Sequence, residues 1–243
     1  MTKVSISIIF LLLLLVKCQP PPEAPVGIDP DIVLINVENG DREFIGKILH
    51  KIDSLNPIAV GIDITFQSRT KNDTALIAAL KKLKNDILVC NVKQNSQIDG
   101  SDSVFTSLTE QGNLYYEQKL GLITTTVPLR KINNTVYESL AFKILKRWKP
   151  DSVSKIKVDE RIDIHYTRNL DKLTVIKGSD LLNTNVTNLS NKIFLVGYLD
   201  PEKGDKHFTP LRNKGLFKTD EPDAYGLVII ANEIRTILEY NNL

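Results

Sequence analysis

The chain has 243 residues, 42% hydrophobic and 25% charged, which is an ordinary globular balance. Its formal net charge of +2 is too small, and too scattered, to point to nucleic acid as a partner. With an N-terminal leader set aside, about 220 residues remain, enough for one well-buried α/β domain or for two small ones.

Lys3 followed by the mostly aliphatic run Val4–Val16 reads as an export signal. As a helix this run spans only roughly 20 Å, short of the ~30 Å of a bilayer core. The stretch from Gln19 to Pro25 is polar and proline-rich, which favours an extended tether. Cys18 stands where a bacterial lipoprotein carries its lipidated cysteine, although Lys17 occupies the place of the usual small residue. Lipidation, ordinary signal-peptide cleavage and an uncleaved short anchor are the three readings of this leader. The expected division is a leader at 1–18, a proline-rich tether at 19–30 and a folded domain at 31–243. Cys90 lies in an apolar strand and is expected to be a packed core thiol.

Asp31–Glu38 reads as a strand. Asn39 or Asp41 can cap a helix whose apolar positions Phe44, Ile45, Ile48, Leu49 and Ile52 fall on one face, and Asn56-Pro57 stops it. Ile58–Phe66 is apolar on both faces except for Asp63, as a strand covered on both sides should be. Asn72 and Asp73 are expected to cap a second helix, and Ile87–Val92 forms a third strand. Strand, helix, strand, helix, strand at this spacing is the βαβαβ pattern of a parallel sheet. Further on, Leu120–Leu129 suggests one β-branched strand, and Thr135 is expected to cap a helix that Pro150 ends. Arg161–Tyr166 alternates like a half-exposed strand, and Ser179 or Asp180 opens a short helical turn. The strand Lys192–Leu199, a polar loop and the helical stretch Tyr225–Leu238 close the chain. No linker-like change of composition follows Pro30, so the expectation is a single three-layer α/β/α domain with a mainly parallel, Rossmann-like central sheet.

In an open parallel sheet, ligands bind at the carboxyl ends of the strands. That rule selects Glu38 at the end of the first strand, Asp63 in the second and Asn91 in the third. It also selects the loop after Leu199, with Asp200, Asp205, His207 and Thr209. Asp63 stands out, because a carboxylate inside an apolar strand requires a partner or a function. His207 has no second His or Cys at ligand spacing, so a zinc site is not expected. Asp63, Asp200 and Asp205 offer only a weak case for calcium or magnesium, and the expectation is no metal and no cofactor. Gly197–Lys206 lacks the glycine spacing of a phosphate loop. No Gly-x-Ser-x-Gly elbow or Cys–His pair is visible either.

Three segments together resemble the CHASE type-2 domain, the extracellular sensor associated with bacterial cyclases, histidine kinases and serine/threonine kinases. They are DIVLINVE at the opening strand, the pair GIDITF and DTALIAALKKL, and the series KIFLVG, GDKHFTPL and YGLVIIAN. By position, the family's recurrent polar residues fall on Asp63, Asp73, Asp205, Thr209, Pro210 and Asn232. Where the family often has His before Ala-Asn in the last helix, this chain has Ile230.

The resemblance implies a non-enzymatic sensory domain that binds a small-molecule or cell-envelope ligand. The expectation is an extracytoplasmic, membrane-associated protein, held by its leader or a lipid. It would act through a membrane kinase or cyclase partner, since no output domain is seen in the sequence. Two other readings compete with this one. The first is an exported hydrolase using the strand-end carboxylates; the second is a structural or interaction lipoprotein.

Overall fold

The computed structural model describes residues 27–184, 188–200, 206–211 and 221–240. The chain opens with β1 (Ile32–Asn36), α1 (Arg42–Asp53), β2 (Ala59–Ile62), α2 (Asp73–Lys82) and β3 (Asp86–Val92). A short strand β4 (Ile98–Asp99), the single turn α3 (Ser103–Thr106) and β5 (Glu110–Asn113) follow. Next come β6 (Tyr116–Lys119) and β7 (Leu122–Thr126), then the hairpin of β8 (Leu129–Ile132) and β9 (Thr135–Glu138), and then α4 (Leu140–Trp148). The remainder is β10 (Ile162–Asp163), β11 (Thr174–Lys177), α5 (Gly178–Asn183), β12 (Ile193–Gly197), β13 (Lys206–His207), β14 (Ala224–Tyr225) and α6 (Gly226–Tyr240).

The central sheet is parallel in the order β11-β1-β12-β2-β3-β5, with β4 added antiparallel to the end of β3. Its strands alternate with period two. Val33, Ile35, Phe194 and Val196 face α1, α2 and α5; Ile32, Leu34, Ile193 and Leu195 face α4 and α6. Both faces are therefore covered, which is why β1, β2 and β12 are almost wholly apolar. This is the expected three-layer α/β/α architecture in one domain. A smaller antiparallel sheet, β10-β7-β6, lies outside α6. The helix is thus buried from Gly226 to Ile237, including its polar residues.

The local reading is corrected at several places. The strand expected over Leu120–Leu129 is two strands, β7 and β8, separated at Val127-Pro128, where Pro128 has no N–H to give to a ladder. Thr135 does not cap a helix: it begins β9, which pairs antiparallel with β8. The cap is Ser139, whose Oγ accepts from the Phe142 N–H at 3.1 Å. Asn72 sits at the N-cap position of α2 but makes no side-chain capping bond. Asp73 instead ties the preceding loop to α1, accepting from Arg42 at 2.7 Å and from both Thr70 groups at 2.8 Å. Burial opposes its charge, but these donors prevail and hold the Asp73 carboxyl down at about 2. Cys90 is a buried thiol, as expected, and burial pushes it up to about 11.

Two further interactions fix the frame. Asp29, which falls in the expected tether, is buried and belongs to the fold. It accepts from Arg168 Nε at 2.8 Å and from Arg235 Nε at 2.7 Å, while Arg235 Nη2 bonds both Asp29 Oδ1 and Asp31 Oδ2. At the amino end of the sheet, Asp86 is 3% exposed and its Oδ2 has no partner among the described residues. The nearby Arg147 is committed to the Asp86 main-chain carbonyl and to Glu110. Burial therefore pushes the Asp86 carboxyl up to about 7.

A carboxyl whose folded-state value lies above its ordinary 3.8 favours folding while protonated. That contribution is lost as pH rises from about 4 to about 7. In urea unfolding, Asp86→Asn should gain on the wild type between pH 4 and pH 8 by on the order of 3 kcal/mol. Parallel pH profiles for the two proteins would refute this.

Candidate functional site

The parallel strands deliver their carboxyl ends to one edge. In the register, Val196 of β12 lies beside Ile62 of β2, and Ile62 lies beside Leu88 of β3. The main chain continues the ladder one residue further, the Asp63 N–H donating to the Val196 carbonyl at 2.8 Å. Gly197, next in β12, sits where α6 comes close. A Cβ there would lie 3.0 Å from Leu227 Cδ2 and 3.4 Å from the Asp63 carbonyl oxygen. The hydrogen-bonded strand β2 ends at Ile62, so Asp63 stands just past it, half-buried, on the edge.

Asp63 and Asn91 line one cavity of about 300 Å³ at the ends of β2 and β3. Thr65, Gln67 and Asp99 supply its other polar groups, and Val89, Cys90 and Leu114 its apolar wall. Asp99 pairs loosely with Lys93 at 3.6 Å. Two carboxylates, two amides and a hydroxyl make this an acceptor-rich pocket, of a size suited to a small molecule carrying hydroxyl or amino donors.

The other sequence-selected residues lie elsewhere. Glu38 does not line this cavity; its Oε2 accepts from the Ser179 N–H at 2.9 Å at the start of α5. Its own N–H bonds to Asn36 Oδ1, which also accepts from Leu199. Thr209 is fully buried and gives both its N–H and its hydroxyl to Asp223, at 2.7 and 2.8 Å. His207 pairs with Ala224 across the β13–β14 ladder, and burial pulls its imidazole below the ordinary value. Asp205 and Cys18 lie outside the described residues.

The sequence reading missed a second group beneath this edge. Glu233, 1% exposed on α6, accepts from Thr126 Oγ1 at 2.7 Å, Tyr116 Oη at 2.9 Å and Ser139 Oγ at 3.0 Å. One carboxyl thus joins α6, β6, β7 and the cap of α4. Burial raises its pKa and the three hydroxyl donors act against that rise. Burial likewise pushes the Tyr116 hydroxyl well above its ordinary range, with the Glu233 and Asp63 carboxylates adding to it. The available signal was a Glu within the apolar stretch YGLVIIANEIRTIL.

Beside it, Asn232 uses every hydrogen-bonding position it has. Its Oδ1 accepts from the Thr167 and Arg168 N–H groups at 3.0 Å, and its Nδ2 donates to the Arg168 and Val228 carbonyls at 2.8 Å. Among the described residues no group of three or more His, Cys, Asp or Glu is arranged to hold a metal. No helix among them is long and apolar enough to cross a membrane.

The fold is that of an α/β domain whose parallel sheet is covered on both faces, with a small polar cavity at its carboxyl edge. The family model of the CHASE2 domain matches residues 19–243, and the chain belongs to that family of extracellular sensory domains. No curated protein and no solved structure matches the chain.

Truncating Glu233 would orphan three hydroxyl donors and leave a cavity. Glu233→Ala should cost about 3–5 kcal/mol in equilibrium unfolding, and Glu233→Gln, which keeps an acceptor, clearly less. Equal losses in the two variants would show that the network contributes packing alone.

Proposed function

We propose that this domain senses a small polar molecule in the cavity lined by Asp63 and Asn91, and reports it to a signalling partner. The observation that carries this reading is the placement of the cavity: it opens at the carboxyl edge of a parallel sheet, in a member of a sensory family. Asp63 and Asp99 favour a ligand with amino or hydroxyl donors, and Asn91, Thr65 and Gln67 orient it. No step of bond chemistry is assigned to these groups, and the domain has no catalytic activity of its own in this reading. Asp205, His207 and Thr209 belong in sequence to the loop after β12, where Thr209 is held by Asp223; Asp205 and His207 are kept as proposed ligand contacts on the strength of the sequence.

The purified chain should show a thermal shift with at least one compound of a library of small polar metabolites and envelope sugars. A hundredfold excess over Kd should raise Tm by about 5–10 °C. Asp63→Ala and Asn91→Ala should abolish the shift while keeping the native circular dichroism. A library without a specific hit favours the structural lipoprotein. Turnover that depends on Asp63 favours the hydrolase.

In the same proposal the domain works outside the cytoplasm, tethered to a membrane through the leader, with Cys18 as its lipid-bearing residue and a membrane kinase or cyclase as its partner. The leader's short apolar run and the position of Cys18 support the tether. Metabolic labelling with a fatty acid should mark the native chain and not Cys18→Ala. Equal labelling of the two would leave the leader as a plain signal peptide or an uncleaved anchor.

A further inference from the structure

A second cavity lies away from this edge, on the outer face of the α1–α2 pair. The two helices touch main chain to main chain at one point: a Cβ on Gly46 would lie 2.6 Å from the Ala75 carbonyl carbon and the Leu76 nitrogen. Past that crossing α2 presents the alanines Ala78 and Ala79 to the gap, with Lys82 at its end, and Leu182 of α5 closes one side. Small side chains between two backbones leave an open apolar groove of about 740 Å³.

The ionisable side chains that line this groove are all basic. Lys47, His50, Lys51 and Lys82 line it, and no carboxylate does. Lys47 and Lys82 are engaged outward, by Glu43 at 2.7 Å and by Asp53 at 2.8 Å. Lys51 makes no ion pair and no side-chain hydrogen bond among the described residues, so its ammonium is available at the rim. An apolar floor with an uncommitted cation at its border complements a molecule with an apolar body and an anionic head.

The dimensions select among such molecules. From Gly46 to Ser54 the groove follows about two turns of α1, roughly 12 Å. A helix short enough for a two-turn seat is not stable by itself in water, and a longer one would overhang it. A single extended hydrocarbon chain matches the length and needs only a narrow furrow. We infer that the α1–α2 groove binds a single-chain amphipathic anion, a medium-chain fatty carboxylate, with its chain along Ala75, Ala78 and Ala79 and its head at Lys51. This site is separate from the polar cavity and does not depend on the sensing role given to it.

Calorimetric titration of the purified chain with octanoate, decanoate and laurate, each below its micelle concentration, tests the inference. Binding should be saturable. Each added methylene should tighten it by about fourfold until the groove is filled, the equivalent of about 0.8 kcal/mol per buried CH₂. Decyltrimethylammonium should bind at least tenfold more weakly than decanoate, and Lys51→Glu should reverse that order. Ala78 is exposed, so Ala78→Trp fills the groove without entering the core. It should abolish binding while leaving Tm and circular dichroism unchanged. Asp63→Ala should bind decanoate like the wild type, which separates this site from the cavity. Absent saturation, equal affinity for the cationic chain, or full binding by Ala78→Trp would each overturn the assignment. A protein partner that is lost with Ala78→Trp, in a chain that does not bind decanoate, would make the groove a peptide interface and overturn it as well.

Discussion

A helix buried on every side must satisfy each polar group it carries, and α6 carries four that are almost fully buried: Asn232, Glu233, Arg235 and Thr236. The rest of the molecule is arranged to meet that demand. Arg235 takes Asp29 and Asp31 from the start of the fold, Asn232 and Thr236 take the main chain between His165 and Arg168, and Glu233 takes three hydroxyls from β6, β7 and the cap of α4. Remove any one partner and a charge or donor is left without water, at a cost well above that of a surface contact. The Asp29 carboxyl shows the balance. Burial would raise it, yet the Arg235 bonds and the Asp31 and Ile32 N–H groups hold it below its ordinary value.

This arrangement ties the two ends of the fold into one rigid unit. The segment that precedes β1 is held to the last helix by charge-assisted bonds, while the start of that helix packs beneath Gly197 at the carboxyl edge of the sheet. Tyr116 of β6 is bonded to Glu233 of the same helix. The segment that precedes β1, the strands β6 and β7 and the cap of α4 are thus joined to one helix through buried polar bonds, which have few alternative partners.

Much of this was legible in the sequence, and the parts that were not share a cause. The strands β1, β2, β3 and β12 and the helices α1 and α6 are marked by apolar runs or a one-faced period, because burial decides each of their positions. The edge strands β5 and β11 escaped notice. β5 reads Glu-Gln-Gly-Asn, and its fit depends on Gly112, where a Cβ would lie 2.6 Å from Leu140 Cα. Nor does any local pattern reveal that β12 inserts between β1 and β2, which is what brings Gly197 beside Asp63. Asp63 and Asn91 were accessible because the strand-end rule is local. Glu233 was not, because its partners Tyr116, Thr126 and Ser139 are distant in sequence and meet it only in the folded chain.

The polar positions shared with the family divide along the same line. Asp73 fixes a loop to α1, Thr209 is spent on Asp223, and Asn232 is saturated by the main chain. These residues are engaged in holding the fold together. Of the polar positions that the resemblance picks out, Asp63 lines the cavity, together with Thr65, Gln67, Asn91 and Asp99. The fold thus rests on one set of polar groups and the cavity lining on another, so membership in the family identifies a sensory scaffold without naming a ligand. Resemblance can identify such a domain as a sensor without naming what it senses, because the fold and the recognition depend on different residues.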